Sequence, residues 1–297
     1  MSLPAPSENQ AFCHVSALIA GSVDFPLAWV LDGVSEDKRA IAPALCFLLR
    51  RSTKKDETFL FDLGIRSDWQ NLPPAGLKHL VDRLGFRISV PQDAVGALAK
   101  GGLKPTDITY LCYSHLHFDH TGDSKPFTNS TVLVGAGARP LLENAYPKNP
   151  DSPLSADVVP EGRTRFLDPS DWPPLGPFPH ALDFYGDGSL YIVDAGSGHF
   201  PGHVNLLART SADGGWIYLA GDSAHHWDLI TGKGKIAKTE HFGCAHLNPA
   251  ASEEHIARIR ELMEKNSRVR VLLAHDEPWY SENKDGPAFW PGEIPSL

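Results

Sequence analysis

Three histidines and one carboxylate fall within six residues in the stretch Ser114-His115-Leu116-His117-Phe118-Asp119-His120-Thr121-Gly122. Imidazole and carboxylate together are the ligand set of a borderline divalent metal, zinc above all, with iron and manganese also accepted. His115 and His117 are two apart, so on an extended segment they point the same way. Asp119 and His120 follow immediately, and a turn there aims them at a second metal. A lone histidine is ordinarily a satisfied polar residue. The whole H-x-H-x-D-H cluster is not explained in that way.

Three further ligands are expected at strand-to-loop junctions, where a rigid sheet fixes a side chain. His203 follows the Pro201-Gly202 turn, Asp222 follows Gly221, and His275 follows the apolar run 269–273. Five histidines and two aspartates are enough for two metals. His115, His117 and His203 are assigned to the first, Asp119, His120 and His275 to the second, with Asp222 between them. The helical stretches holding His79 and His255 predict exposed imidazoles, and His14 and His180 have no ligand partner in their local sequence. His241, Cys244 and His246 form another polar group, but two histidines and one thiol leave a structural zinc short of its four ligands.

The elements that must carry these groups follow from hydropathy. Residues 11–20 and 40–50 read as strands, with an apolar loop from Asp24 to Leu31 between them. That loop carries Phe25 and Trp29, candidates with Phe118 for the apolar wall of a substrate pocket. Residues 58–64 read as a buried strand ending in Asp62-Leu63-Gly64. Helical spacing over 77–84 stops at Gly85, and a helix opening at Pro91-Gln92-Asp93 ends at Gly101-Gly102. A strand over 107–113 feeds the metal cluster at its carboxyl end, where α/β architectures place function.

Residues 131–135 read as a strand and 138–144 as a helix. Residues 145–180, rich in Pro, Asp and Ser, read as a long surface excursion. From 181 the pattern is β: 181–184 and 190–193 flank the turn Tyr185-Gly186-Asp187-Gly188, and 204–209 and 216–220 follow as strands. An amphipathic helix over 252–266 turns Ile256, Ile259 and Leu262 to one face. Residues 281–297 read as an irregular tail packed over the surface. Two β-rich halves, each with helices, predict a layered α/β sandwich in a single domain over 1–297.

A chain of 297 residues can bury a large core. Its formal charge of −9 offers no electrostatic footprint for nucleic acid or an anionic membrane, so neither is expected as a partner. No stretch approaches about 18 uninterrupted apolar residues. Residues 1–10 lack the basic and apolar regions of a signal peptide, so a cytoplasmic protein is expected, with a homodimer compatible. The four cysteines, Cys13, Cys46, Cys112 and Cys244, are widely spaced and predict no disulfide framework.

As a set, His115-Leu116-His117-Phe118-Asp119-His120, Pro201-Gly202-His203, Gly221-Asp222 and Ala274-His275 resemble the motifs of the metallo-β-lactamase superfamily, in the family's order. Asp62-Leu63-Gly64 resembles the Asp-x-Gly turn that precedes the family's metal motif. The resemblance spans about residues 11–275 and implies a four-layer αβ/βα sandwich with a dinuclear metal site on one edge. Details select a branch. Asp222 stands where the main zinc β-lactamases carry Cys, and His117 where the diiron flavoproteins carry Glu. The segment after His275 is too short for the helical domain of the glyoxalase II-like thioesterases. The stretches Ser114 to Gly122 and Gly198-His199-Phe200-Pro201-Gly202-His203 look most like the N-acyl homoserine lactonase branch, whose neighbourhood includes fungal hydrolases of lactones and of cyclic amides or carbamates such as benzoxazolinone.

That resemblance implies ring opening of a small-molecule cyclic ester or amide by a hydroxide shared between two zinc ions. Asp119 is expected to take up a proton. The lactonases place a Tyr three residues after the bridging Asp, and His225 stands there in this chain; its N–H can donate the same hydrogen bond to the substrate carbonyl. Two alternatives use the same scaffold: a mononuclear iron sulfur dioxygenase, and a non-catalytic metal-binding protein.

Overall fold

Near-continuous apolar runs build two sheets, each apolar on both faces. The computed structural model describes residues 3–297, so residues 1 and 2 of the N-terminal stretch lie outside it. The first sheet comprises β1 (Cys13–Pro26), β2 (Arg39–Arg51), β3 (Lys54–Phe61), β4 (Arg87–Ser89), β5 (Tyr110–Cys112), β6 (Thr131–Gly135) and β7 (Thr164–Leu167). Its order is β4-β1-β2-β3-β5-β6-β7. The pairs up to β3 are antiparallel, and those from β3 to β7 are parallel. The second sheet comprises β8 (Ala181–Asp183), β9 (Leu190–Gly196), β10 (His203–Arg209), β11 (Trp216–Leu219) and β12 (Val269–Leu272), in the order β12-β11-β10-β9-β8. Only the β11–β12 pair in it is parallel.

The helices are α1 (Pro74–Leu77), α2 (Ala94–Ala99), α3 (Phe118–Thr121), α4 (Arg139–Glu143), α5 (Trp227–Thr231), α6 (Pro249–Lys265) and α7 (Glu277–Asn283). Between the sheets, Phe47, Leu49, Phe59 and Phe61 meet Ile192, Leu206, Ile217 and Leu219. The outer face of the first sheet, with Leu48, Leu60, Leu111 and Val132, packs on Ala94, Ala97 and Leu98 of α2. The outer face of the second, with Val193, Leu207, Tyr218 and Val271, packs on Ile256, Ile259 and Leu262 of α6. Helix, sheet, sheet, helix is the expected four-layer αβ/βα sandwich. The long helix α6 starts cleanly because Asn248 accepts the Ala251 N–H and Pro249 occupies the first helical position.

Several local expectations are revised. The stretch from Asp24 to Leu31 is not a loop: β1 runs on to Pro26, paired with Arg39, and Leu27–Trp29 forms a single 3₁₀ turn. Helical spacing over 77–84 becomes the short α1 followed by a π-helical turn at Lys78–Arg83. The stretch 145–180 is more than a surface excursion, since it contributes β7 and buries Leu175 and Phe178. A four-residue edge strand points only two side chains inward, too few to register as alternation.

The tail also does more than cover the surface. Ala17 N–H donates to Ala288 O (3.0 Å), Trp290 N–H to Ala17 O (2.9 Å) and Ile294 N–H to Val15 O (2.7 Å). It thereby lines the part of β1 that β4, paired only over Ser22–Asp24, leaves free. His255, expected to be exposed, is buried on the inward stripe of α6 with Ile256 and Ile259. His14 has a partner in Glu293 at 2.8 Å. Among the described residues no helix is long and apolar enough to cross a membrane.

Candidate metal centre

Four strands deliver the site from their carboxyl ends. Asp62 follows β3, Ser114 to His120 follow β5, Gly221-Asp222 follow β11, and His275 follows β12. The parallel pairs β3–β5 and β11–β12 bring these ends to one rim. His117 is extended (φ −67°, ψ 157°), and α3 begins directly after it. The change from strand-like to helical backbone brings Asp119 and His120 toward His275, while the His120 ring stays 4.1 Å from that of His115. Asp62 holds this corner from a left-handed backbone (φ 64°). It accepts the Ser114 N–H at 2.6 Å and the Ser114 hydroxyl at 2.8 Å, and it lies 2.8 Å from His120 Nδ1.

The side chains form two groups. In the first, His115 Nε2, His117 Nδ1 and His199 Nε2 converge at mutual distances of 2.8, 3.1 and 3.1 Å. A cation bound tetrahedrally at about 2.0–2.1 Å would set N···N edges of about 3.3 Å, so the three nitrogens need open by only a few tenths of an ångström to take one. In the second, His275 Nε2 lies 3.4 Å from Asp119 Oδ2, and His120 Nε2 lies 3.9 Å from Asp119 Oδ1.

Asp222 faces both groups, one oxygen to each. Its Oδ2 is 3.5 Å from His199 Nε2 and 3.8 Å from His115 Nε2. Its Oδ1 is 3.3 Å from His120 Nε2 and 3.4 Å from His275 Nε2. His120 Nε2 and Asp222 Oδ1 are buried and have no hydrogen-bond partner among the described residues. Buried polar atoms left this way call for an ion or a reacting group.

The charges differ between the groups. Burial pushes His115 and His199 well below the ordinary imidazole range, and His117 down to about 4. Burial acts against charge on His120 and His275 too, but facing carboxylates outweigh it. Asp222 and Asp62 hold His120 well above its usual range, and Asp222 with Asp119 holds His275 up at about 10. The first group is thus a neutral imidazole trio, and the second is a set of protonated imidazoles against carboxylates.

The expectation for His203 is corrected here. His203 is the first residue of β10, and its Nε2 points to Asn205 Nδ2 at 3.4 Å. Asn205 Oδ1 accepts the Tyr218 hydroxyl (2.8 Å) and the Ser223 hydroxyl (3.0 Å), and lies 2.8 Å from His255 Nε2. Gly221 has φ +49°, and a Cβ there would stand 2.8 Å from His203 Nε2. His203 therefore sits behind the Gly221-Asp222 turn, and His199 occupies the position assigned to it. Both histidines belong to the same Gly198–His203 motif, but choosing between them requires knowing where β10 begins.

His225 is brought to the centre, its Nε2 3.1 Å from Asp222 Oδ2. His246, set aside in the sequence, joins it: His199, His225 and His246 form a third close cluster. The ring of Trp29 stands 6.0 Å from that of His225 and packs edge-on against Phe25 and Phe86. Phe25 is buried and backs this wall, while Trp29 and Phe118 are half-buried against the same apolar cluster.

A histidine-aspartate cluster on the rim of an αβ/βα sandwich defines a class of metal-binding fold. Residues 41–275 match the sequence model of the metallo-beta-lactamase superfamily, and the chain belongs to that family. It is 30% identical to the cytochrome P450 monooxygenase mpaDE of Penicillium brevicompactum over 80% of this chain. It spans only 30% of that protein's length. It is 40% identical to the gamma-lactamase MBL2 of Gibberella moniliformis, over 56% of this chain and 70% of that one. A solved N-acyl homoserine lactone hydrolase, with N-hexanoyl-L-homoserine at its catalytic metal centre, superposes with a TM-score of 0.71. It covers 95% of this chain and 98% of its own at 19% identity, a likeness of fold.

Proposed function

We propose that the chain is a metal-dependent hydrolase that opens a cyclic ester or amide, a lactone, a lactam or a cyclic carbamate such as benzoxazolinone, at a dinuclear centre of zinc type. The observation that carries this reading is Asp222, which turns one carboxylate oxygen to each ligand group. His115, His117 and His199 would hold one ion, and Asp119, His120 and His275 the other, with Asp222 shared. Bound there, two divalent ions supply Lewis acidity and lower the pKa of water toward neutrality.

The chain's own groups do the rest. His225, its Nε2 3.1 Å from Asp222 Oδ2 and its ring beside Trp29, would turn that same Nε2–H to a carbonyl oxygen entering from the aromatic side once Asp222 is engaged by metal. Asp119, 3.4 Å from His275 Nε2, is placed to hold a proton delivered from the attacking water. The apolar wall of Trp29, backed by Phe25 and Phe86, selects the ring. The gamma-lactamase relative and the lactone-hydrolase neighbour support the substrate class. No nucleophilic Ser or Cys is required.

The test is a hydrolysis screen of the zinc-loaded protein across lactones, γ-lactams and benzoxazolinones, with metal content measured on the same sample. Turnover of at least one class at about two metals per chain is expected. One bound iron with oxygen uptake and no ring opening would refute the proposal.

Protonation gives a second expectation. Near pH 7.5, His120 and His275 each carry a proton that metal must displace, and ionisation of a metal-bound water would add a third, so loading should release about two to three protons per chain. Because protons compete with metal, apparent affinity falls as pH falls. Calorimetric titration in buffers of different ionisation enthalpy reads the number, and a value near zero would contradict the assigned second group.

A further inference from the structure

A metal-ligating histidine ordinarily donates its other ring N–H to a fixed acceptor, which orients the ring and raises its basicity. Three of the proposed ligands have such a partner. His115 Nδ1 lies 3.1 Å from Ser114 Oγ, His120 Nδ1 2.8 Å from Asp62, and His275 Nδ1 2.8 Å from Pro43 O. His199 has none. Its Nε2 faces His115 and His117, and its Nδ1 is buried with no hydrogen-bond partner among the described residues.

His246 stands beside it in the complementary condition. Its Nδ1 lies 2.9 Å from Ser252 Oγ, and its Nε2 is buried without a partner. The two rings are 5.0 Å apart at 77°, and each residue is only 2% exposed, so bulk water does not serve either nitrogen. The loops that carry them are clamped together. Leu247 N–H donates to His199 O and Asn248 N–H to Gly198 O, at 3.3 and 2.8 Å. A Cβ on Gly198 would stand 2.6 Å from Ser252 N, so the glycine permits the close approach.

We propose that His246 is a positioning residue for the metal centre: with its Nδ1–H donated to Ser252 Oγ, its Nε2 is left free to accept the Nδ1–H of His199 once a cation is held at His199 Nε2. The inference rests on the reading of His199 as a metal ligand. His225 competes for the same acceptor, since its ring is also 5.0 Å from His246 and its Nδ1 lacks a partner. His199 has the stronger claim, because a cation at its Nε2 makes its Nδ1–H the more polarised donor.

The test is zinc affinity, read by chelator competition on the full chain, for the parent, His246→Ala and His246→Gln. The parent is expected to hold two zinc ions. His246→Ala should release one of them with affinity weakened about 10- to 100-fold. His246→Gln, whose amide oxygen can accept the same N–H, should recover most of the loss. A parent that binds no zinc overturns the reading of the centre itself. A parent that holds two, with His246→Ala equally tight, overturns only the role of His246. So does a His246→Gln variant as weak as His246→Ala, which would assign the residue to packing, or a turnover defect with zinc affinity unchanged, which would assign it to His225.

Discussion

His199→Ala is expected to remove the ion held with His115 and His117 and to lower ring opening by about three orders of magnitude, while His203→Ala keeps its metal. The basis is distance. His199 Nε2 is one corner of a nitrogen triangle with edges near 3 Å. Losing the Lewis acid that activates water and carbonyl costs several kcal/mol of barrier, and about 1.4 kcal/mol is a factor of ten. His203 instead supports Asn205 behind the Gly221-Asp222 turn, so its removal should lower the melting temperature through a buried cavity. Elemental analysis and turnover on both variants decide the matter. Metal lost from His203→Ala but retained by His199→Ala would reverse the assignment.

Asp222→Ala should have the largest effect of any single change, with metal content falling from two toward zero and no measurable hydrolysis. Each of its oxygens faces a different group, and its carboxylate lies within 3.8 Å of imidazole nitrogens of His115, His120, His199, His225 and His275. Burial alone would favour its neutral form, but His120, His275 and His225 hold its carboxyl well below the usual carboxylate range. Without it, His120 and His275 face only Asp62 and Asp119, and the first group has no carboxylate at all. A variant that still retains one tightly bound ion would show that the carboxylate is not shared.

The contiguous part of this centre was legible in the sequence because its geometry is local. His115, His117, Asp119 and His120 need only one strand end and one helical turn to divide between two groups. Asp222 and His275 were legible because each follows an apolar strand long enough to recognise. His199 was not, because the motif offers two histidines and the choice turns on a loop-to-strand boundary. His246 was dismissed on a count of local ligands, although its neighbours come from distant segments. The layered α/β sandwich followed from the apolar runs and its four layers from the family resemblance, whereas β7 and the pairing of residues 288–294 left no periodic signal. Trp29 was read on a loop that proved to be a 3₁₀ turn following β1, and its place against His225 depends on long-range packing.

The seam between β1 and residues 288–294 has a kinetic consequence. Residues 15–17 bond to residues 288–294, much later in the sequence, so that edge is closed only once those residues are available. Closing so long a loop delays folding, and β-rich topologies of this kind complete it on the order of milliseconds to seconds. During synthesis β1 emerges early, and part of its edge stays open until the last segment arrives. A bare strand edge is a template for strand addition by another chain. The vulnerable period of this protein is therefore set by the arrival of Ala288 to Ile294, far from the centre that does its chemistry.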